Sequence, residues 1–271
     1  MHAEFWTLVG IAALVCFILF AGTWAVSLKV NNFSFVDAMW ALSLPVTMGL
    51  VAVMADGIEW RRWLAFGMAA VWGGRLGGYL FFRILRHHPD EDVRYQVLRK
   101  RWAGKLASRF FAFFQAQAVL VVLLSVPLIL AAMNLSPQIH LMEVIGLVVW
   151  GVGIGGEALS DAQMKHFKSK PENKGKVCKE GLWGWSRHPN YFFEFVTWVG
   201  FWLFAAGSPW GWLTVYAPAM ILYFLLRVTG IPLTEECAVA SKGDAYREYQ
   251  RSTSAFIPLP PKKSSSVSSP S

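Results

Sequence analysis

A polar turn followed by a long apolar run, residues 181–206, holds the densest set of side chains that could do chemistry. Ser186, Arg187 and His188 precede Pro189, and proline suits the first turn of a helix because its missing N–H costs nothing there. A helix N-terminus attracts phosphate or carboxylate, and arginine adds a cation whose fork geometry suits phosphate. The stretch therefore predicts an anion site at a helix start. The alternative is an interfacial helix start, where Arg187 and His188 only meet lipid headgroups.

Ionisable side chains also interrupt the apolar segments themselves. Asn190 and Glu194 are four residues apart and so share one face of the predicted helix. Charges inside a membrane segment are costly and usually face the bundle interior or a cavity. Other examples in this chain are Asp37, Arg75, Glu157 and Asp161. We expect a buried polar site, with the alternative that Arg75 simply neutralises one of the acids.

The composition is that of an integral membrane protein. Hydrophobic residues make up 55% of the 271 residues and charged residues 15%, whereas soluble domains carry about 25% charged residues. The net charge of +8 could suggest nucleic acid, but the cations cluster between apolar runs, so membrane topology explains them better. The three cysteines have no metal-ligand spacing, and His87-His88 with the acids after Pro89 reads as a helix start. We expect no nucleic-acid partner and no metal.

Seven apolar runs are long enough, or nearly so, to cross about 30 Å as helices. They are Phe5–Leu28, Phe35–Met54, Trp63–Phe82, Phe110–Met133, Leu141–Ser160, Tyr191–Ala206 and Trp210–Val228. Lysine and arginine crowd the third and fifth loops and the C-terminal segment, which predicts an N-terminus outside and a C-terminus in the cytoplasm. Arg61 and Arg62 fall on the outer side and count against that orientation. The expected fold is an all-α, polytopic bundle in the plasma or inner membrane if bacterial, or in the endoplasmic reticulum if eukaryotic.

Glycines at helical spacing predict close packing of the third and fifth runs. Gly73 and Gly77, like Gly74 and Gly78, are four residues apart, and a second set is Gly151, Gly155 and Gly156. We expect one domain over residues 1–258, with a cofactor-binding half at 141–258. The Pro-, Lys- and Ser-rich residues 259–271 are expected to form a disordered tail.

Three motifs together resemble the steroid 5α-reductase-like membrane oxidoreductases, and in particular a bacterial-type branch of that family. They are Gly181-Leu-Trp with Ser186-Arg-His-Pro-Asn-Tyr-Phe and Glu194, then Gly230-Ile-Pro-Leu with Glu235, then Tyr246, Tyr249 and Phe256-Ile-Pro258. A weaker likeness runs upstream through Asn31-Asn32, Asp37, Trp40, Trp72, Arg75, Arg83 and Asp92 with Arg94-Tyr95.

The resemblance implies a seven-helix bundle that holds NADPH on the cytoplasmic side and takes a lipid-like substrate from the membrane. Four residues match the family's cofactor positions: Asp161, Asn190, Glu194 and Arg227. Lys165 and Lys168 stand where the family often has basic residues near the cofactor's phosphates. The motifs place Arg187, His188, Tyr191, Glu235 and Tyr246 at the same cofactor site.

The implied reaction is reduction of a C=C bond conjugated to a carbonyl in a hydrophobic, steroid-like or lipid-like substrate. The steroid-reducing members polarise that carbonyl with a Gln-Glu pair and a tyrosine that have no match here. We therefore assign the role to Asp37, as a protonated acid, with Arg75 as its orienting partner. Phe193 also stands where relatives commonly carry glycine, which would narrow the approach to the cofactor.

Two other functions fit the sequence. The Arg-His-Pro-x-Tyr turn and the late Glu-Glu and Tyr-Tyr segment also recur in membrane methyltransferases of the isoprenylcysteine carboxyl type, which use S-adenosylmethionine. Phe193 breaks their glycine pattern, while Glu194 and Asp161 favour the reductase. The third hypothesis is a membrane scaffold or lipid-binding protein without catalytic activity.

Overall fold

The computed structural model of the chain describes residues 2–262, and within this part the regular elements are all helices, without a strand. The predicted tail lies largely beyond it, since residues 263–271 fall outside the described part. The α-helices of residues 2–262 are α1 (His2–Val30), α2 (Phe35–Met54), α3 (Glu59–His87), α4 (Val93–Arg101), α5 (Leu106–Ala132), α6 (Leu141–Ser169), α7 (Pro189–Ala206), α8 (Tyr216–Tyr223), α9 (Ile231–Lys242) and α10 (Asp244–Ser252).

Five segments of the described chain are long and apolar enough to cross a membrane. They are α1, α2, α5, α6 and the segment Gly211–Lys242, which contains α8 and α9. The predicted third and sixth runs lie in α3 and α7, which are helical but are not among these five. The chain is thus an all-helical membrane protein, while the number of seven spans and the orientation of the termini stay predictions.

The chain divides into two compact units, and the first extends to Leu141 and includes Ala205–Thr214. Within it, glycines of α3 lie directly on α2. A Cβ added at Gly73 would stand 2.5 Å from the Ala41 carbonyl oxygen, and one at Gly77 would stand 2.6 Å from the Leu42 side chain. The Gly73–Gly77 face is therefore a packing face, as expected. A Cβ added at Gly74 or Gly78 would have no neighbour within 4 Å, so the second predicted pair does not mark a close packing contact in the described chain.

One arginine of the first unit is buried completely. The Arg61 guanidinium donates hydrogen bonds to the backbone carbonyls of Asn134, Ser136 and Gln138, at 3.3, 2.7 and 3.0 Å. Buried carbonyl groups need donors, and this fork of N–H groups supplies several at once. Arg61 thus fixes the loop that follows α5, which gives a structural reason for a cation that the charge pattern alone did not explain.

The second unit comprises Met142–Phe204 and the chain from Val215 onward. Its helices α6 and α7 are antiparallel and touch at glycines of α6. Gly146 lies against Phe204, Gly153 against Thr197, and Gly156 against the Phe193 ring. The predicted glycine face of this helix is correct for Gly156 only, because Gly151 and Gly155 have no neighbour within 4 Å.

The predicted seventh span, Trp210–Val228, is not one regular helix. It begins with a 3₁₀ turn at Gly211–Val215, continues as α8, and passes into a π-helical segment at Phe224–Val228. The amides of Thr229 and Gly230 both donate to the Phe224 carbonyl, at 3.0 and 3.3 Å, which widens this last turn before α9 begins. Single π-helical turns of this kind are frequent at functional sites.

Candidate functional site

The polar turn of the second unit is anchored to the end of α6. The Trp183 indole donates to the Ser160 carbonyl at 2.9 Å, and the Leu182 amide donates to the Gln163 side chain at 3.0 Å. Gly181 has a φ of +56°, and a Cβ there would meet the Gln163 amide at 2.5 Å. The left-handed backbone favours glycine at this position, and the two hydrogen bonds to α6 fix where the turn enters α7.

Arg187 is held by groups of the protein. Its Nε lies 2.6 Å from a Glu235 carboxylate oxygen, and one Nη donates to the backbone carbonyls of Gln250 at 2.9 Å and Thr253 at 2.5 Å. Only 9% of the side chain is exposed. The predicted phosphate grip by Arg187 stays a prediction, and in this structure the guanidinium joins the turn to α9 and α10.

Glu235 is shared among several donors. In addition to Arg187, the His188 Nε2 lies 3.3 Å from one of its oxygens, and the Gln250 side chain donates to the other at 2.9 Å. The His188 ring stacks on Tyr191 at 5.3 Å between ring centroids, with the planes 5° apart. Because a carboxylate only accepts, His188 must carry its proton on Nε2 in this arrangement. The turn and the start of α9 thus form one buried polar cluster.

The C-terminal segment closes this cluster from the other side. The Tyr249 hydroxyl donates to the carbonyls of Trp183 and Ser186, and the Ser186 hydroxyl donates to the Phe256 carbonyl at 2.8 Å. Burial, together with the Glu235 charge, raises the pKa of Tyr246 to about 12, and burial also raises the pKa of Tyr249 well above its ordinary value. Both phenols therefore remain protonated donors at neutral pH.

Residues 259–262 of the predicted tail also pack here. The Leu259 amide donates to the Trp185 carbonyl at 3.0 Å, and the Lys262 amide donates to the Ser252 carbonyl at 2.8 Å. The backbone of residues 259–262 is thus hydrogen-bonded to the polar turn and to the end of α10.

Asn190 lies on the face of α7 that meets α6. Asn190, Phe193 and Thr197 are spaced at i, i+3 and i+7, and the last two contact α6. Continuing this antiparallel register by one turn places Asn190 at the level of Ser160 and Asp161. The Asn190 side-chain oxygen is buried, and no donor of residues 2–262 reaches it. A buried acceptor without a donor is costly, so it marks a place where a ligand with N–H or O–H groups fits.

Helix α6 is nine residues longer than its apolar run, and this extension carries charged residues. Because α6 continues to Ser169, Asp161, Lys165 and Lys168 follow one another at i, i+4 and i+7 along one side of it. Asp161 is half-buried, and both lysines are exposed. The sequence placed these lysines in a loop, whereas the structure aligns them with the acid.

Glu194 and Arg227 complete the predicted cofactor residues. Glu194 is buried and accepts a hydrogen bond from the Trp198 indole at 2.9 Å, one turn further along α7. Arg227 lies in the π-helical segment with its side chain exposed. Within the second unit the described hydrogen bonds join Arg187, His188 and Glu235 directly, while Arg227 stays outside that cluster.

The two predicted catalytic residues, Asp37 and Arg75, belong to the first unit, on α2 and α3. Asp37 accepts hydrogen bonds on both oxygens, from the Tyr95 hydroxyl at 2.6 Å and from an Arg94 Nη at 2.7 Å. Burial and the neighbouring Asp37 carboxylate raise the pKa of Tyr95 well above its ordinary value. Asp37 acts here as an acceptor, so the predicted role as a proton donor requires Arg94 to release it.

Asp92 is the second carboxylate of this network. It caps α4 by accepting from the Arg94 amide at 3.0 Å, and it also binds the Arg94 side chain at 2.9 Å. Burial alone would raise the pKa of Asp92, but the hydrogen bonds and charge of Arg94 outweigh burial and hold it below its ordinary value. The weak likeness in the sequence included Asp92, Arg94 and Tyr95, but it did not indicate that Arg94 and Tyr95 both bind Asp37.

Comparison with known proteins gives a family and few relatives. Residues 23–253 match a protein family described as "Protein of unknown function (DUF1295)", a family associated with steroid 5α-reductase-like and methyltransferase-type membrane proteins. A probable O-methyltransferase, ustE, of Ustilaginoidea virens is 31% identical over 80 residues, or 30% of this chain and 26% of that protein. An uncharacterised protein of Schizosaccharomyces pombe is 25% identical over 92% of this chain and 79% of its own length.

No solved structure matches the chain. The aligned region of the methyltransferase-named relative is about a quarter of that protein. Among residues 2–262, no group of three or more His, Cys, Asp or Glu side chains is placed to hold a metal ion.

Proposed function

This chain belongs to the DUF1295 family, and on that premise we propose that it is an NADPH-dependent membrane reductase of a conjugated C=C bond in a hydrophobic enone. The observation that carries the proposal is the row of Asp161, Lys165 and Lys168 along α6. A carboxylate followed by two exposed cations provides an acceptor for ribose hydroxyls and a counter-charge for phosphates. S-adenosylmethionine has the ribose but no phosphate, so the lysines favour the dinucleotide.

Asn190 supports the same site. Its buried oxygen stands at the level of Asp161 and needs a donor, and a carboxamide or an adenine amine of a dinucleotide supplies one. Glu194, one turn deeper on α7, adds a buried carboxylate on the same face. The Glu194 carboxylate, the Asn190 amide and the two lysines thus follow one another from the interior of the second unit to the end of α6.

The residues of the buried cluster have a supporting role in this proposal. Arg187, His188 and Glu235 fix the turn before α7, so that Asn190 and Glu194 are presented at a defined depth. Bound NADPH would supply the hydride. The protein would exclude water and stabilise the charge that develops on the substrate carbonyl, for which Asp37 and Arg75 remain our proposed residues.

The first test is ligand-dependent thermal stability of the purified protein in detergent. A ligand at a hundred times its dissociation constant stabilises the folded state by about 2.7 kcal/mol, so NADPH should raise the melting temperature clearly. Oxidation of NADPH in the presence of hydrophobic enones, with product identified by mass spectrometry, then tests the reaction. An unchanged melting temperature with NADPH and NADH would contradict the proposal.

Paired variants locate the site. Lys165→Gln with Lys168→Gln should weaken NADPH binding about tenfold or more, since a charge-assisted hydrogen bond contributes about 1.5–3 kcal/mol. The control is Lys174→Gln with Lys176→Gln, which makes the same charge change at exposed lysines beyond α6. Equal loss in both pairs would show that the row on α6 is not specific.

Asn190→Leu separates binding from folding. The substitution removes an acceptor that has no donor in the described structure, so it should leave the melting temperature without ligand nearly unchanged or higher. NADPH binding should nevertheless weaken. A variant that binds NADPH as tightly as the natural protein would remove Asn190 from the site.

The second candidate function is an S-adenosylmethionine-dependent methyltransferase of a lipid or isoprenylated substrate. The observation that favours it is the 31% identity to the probable O-methyltransferase ustE over 80 residues. It predicts stabilisation by S-adenosylmethionine and none by NADPH in the same thermal series. That result would replace the reductase, while no response to either ligand would favour a scaffold or lipid-binding protein.

A further inference from the structure

A basic cleft lies in the first unit where α4 leads into α5. Its volume is about 490 Å³, and it is lined by Arg101, Trp102, Ala103, Gly104, Lys105 and Arg109. Three of these residues are cations, and none is an acid. We propose that this cleft binds the phosphate of an anionic phospholipid headgroup. The proposal does not depend on the nucleotide site of the second unit.

The cations of the cleft have no acidic partner among residues 2–262. Nearby Arg94 is paired with two aspartates, and Arg99 is paired with Glu91 at 3.0 Å. In contrast, the three cleft cations are exposed, and within the described part of the chain none of them forms an ion pair. Because like charges gathered without counter-charges repel one another, this arrangement is stabilised when an anion occupies the cleft.

The cleft stands at the end of a helix that can span a membrane. Lys105 directly precedes α5, one of the five segments long and apolar enough to cross. The Trp24 indole of α1 donates to the Ala107 carbonyl at 3.0 Å, so the last two turns of a second such helix lie beside the start of α5. The Trp102 ring contacts Phe110 edge-on at 5.0 Å between centroids. Cations and tryptophan at the end of apolar helices are typical of the headgroup level.

An apolar stripe leads away from the cleft along α5 and favours a lipid over a free phosphate. C-terminal to Arg109 on α5, exposed apolar residues recur at helical spacing on one face, at Ala112, Ala116, Val119 and Leu123. An acyl chain attached to a headgroup in the cleft can lie along this stripe. A soluble phosphate compound has no group that would use it.

The experiment measures lipid binding by the full chain. The protein is reconstituted in nanodiscs of phosphatidylcholine with or without phosphatidylglycerol. Native mass spectrometry measures the bound lipid, and the melting temperature of the protein is recorded in each nanodisc. The cleft variant is Arg101→Gln, Lys105→Gln and Arg109→Gln together. Each cation near an anionic lipid contributes about fivefold, so we expect binding of phosphatidylglycerol to weaken on the order of a hundredfold.

The control changes the same number of exposed cations elsewhere, with Lys174→Gln, Lys176→Gln and Arg251→Gln. It should retain phosphatidylglycerol binding. If both variants lose phosphatidylglycerol binding equally, the effect of charge is diffuse and the proposal is overturned. If both bind phosphatidylglycerol as tightly as the natural protein, the proposal is also overturned. The single variant Lys105→Gln, with an expected loss of about fivefold, replaces the triple variant if that does not fold.

A second titration distinguishes a lipid phosphate from a soluble phosphate as the ligand of the cleft. NADPH and inorganic phosphate are titrated against the natural protein and the cleft variant in phosphatidylcholine alone. If the cleft variant loses affinity for either compound and keeps phosphatidylglycerol, the cleft binds a soluble phosphate and the lipid proposal is wrong. Unchanged affinity for both compounds, with lost phosphatidylglycerol, supports it whether or not NADPH is the cofactor.

Discussion

Two networks, one in each unit, are both built on an arginine paired with a carboxylate, but they differ in burial. Arg94 binds Asp37 and Asp92 with 38% of its side chain exposed, whereas Arg187 binds Glu235 with 9% exposed. Exposed ion pairs contribute at most about 1 kcal/mol, while removing one partner of a buried pair costs about 3–5 kcal/mol. Burial rather than residue type should therefore decide which network the fold depends on.

The acceptors differ as well. Those of Arg94 are aspartate side chains, but Arg187 also binds the backbone carbonyls of Gln250 and Thr253. Carboxylates can turn to water when their partner is lost, whereas buried carbonyls of a fixed segment cannot. Loss of Arg94 should therefore disturb the path of the backbone less than loss of Arg187.

The largest effect should come from Arg187→Leu. It leaves Glu235 and two carbonyls without their donor, so the free energy of unfolding should fall by about 3–5 kcal/mol. Denaturant titration in mild detergent measures this fall. Arg187→Lys keeps the charge but loses the planar guanidinium, so its free energy of unfolding should lie between those of the natural protein and Arg187→Leu. If Arg187→Leu lowers the free energy of unfolding by less than about 1 kcal/mol, the two networks do not differ in the way that their burial suggests.

Tyr249→Phe tests whether the second network extends to α10. The phenol is buried and donates to the carbonyls of Trp183 and Ser186, so its removal should cost about 1–3 kcal/mol. The same titration measures it, with Tyr223→Phe on an exposed side chain as the control. A cost no larger than the control's would confine the network to Arg187 and Glu235.

Arg94→Gln should cost only about 1 kcal/mol, because its ion pairs are screened by solvent. A double-mutant cycle with Asp37→Asn isolates the pairwise term, which should be of the same size. If enone reduction is found, the same variants report on catalysis. If the Asp37→Asn variant reduces the enone at the normal rate, Asp37 is not the acid.

The smallest effect concerns pH. The folded-state pKa of Asp92 is depressed, so its stabilising contribution is fully present above its ordinary value of 3.8 and is lost as pH falls through the lower folded value. Below pH of about 4 the melting temperature should therefore fall less steeply in Asp92→Asn than in the natural protein. Identical pH profiles would show that the Arg94 hydrogen bonds do not persist in solution.

The sequence predicts helices well where a local signal marks them. The bounds predicted for the second run, Phe35–Met54, are those of α2, and Pro189 begins α7 as its fixed φ suggests. The runs in α3 and α6 were too short, because an apolar run ends where charge begins while the helix continues. Hydropathy reports burial in lipid and not hydrogen bonding along the backbone.

The site was predictable as a set of residues and not as a set of pairs. Arg187, His188 and Glu235 were all singled out, yet Arg187 and Glu235 are 48 residues apart and their bond depends on how α9 returns to the turn. Asp37 and Arg94, 57 residues apart, are the same case. Spacing within one helix is readable from sequence, whereas spacing between helices is a property of the packed chain.

The contact between Gly156 and Phe193 has an evolutionary consequence. A Cβ at position 156 would stand 2.2 Å from the aromatic ring, so the two positions share one fixed volume. We expect relatives with a small residue at 193 to carry a bulkier one at 156, and each single replacement to be selected against unless the other follows. An alignment of the family would display this as a correlated exchange of size between two columns.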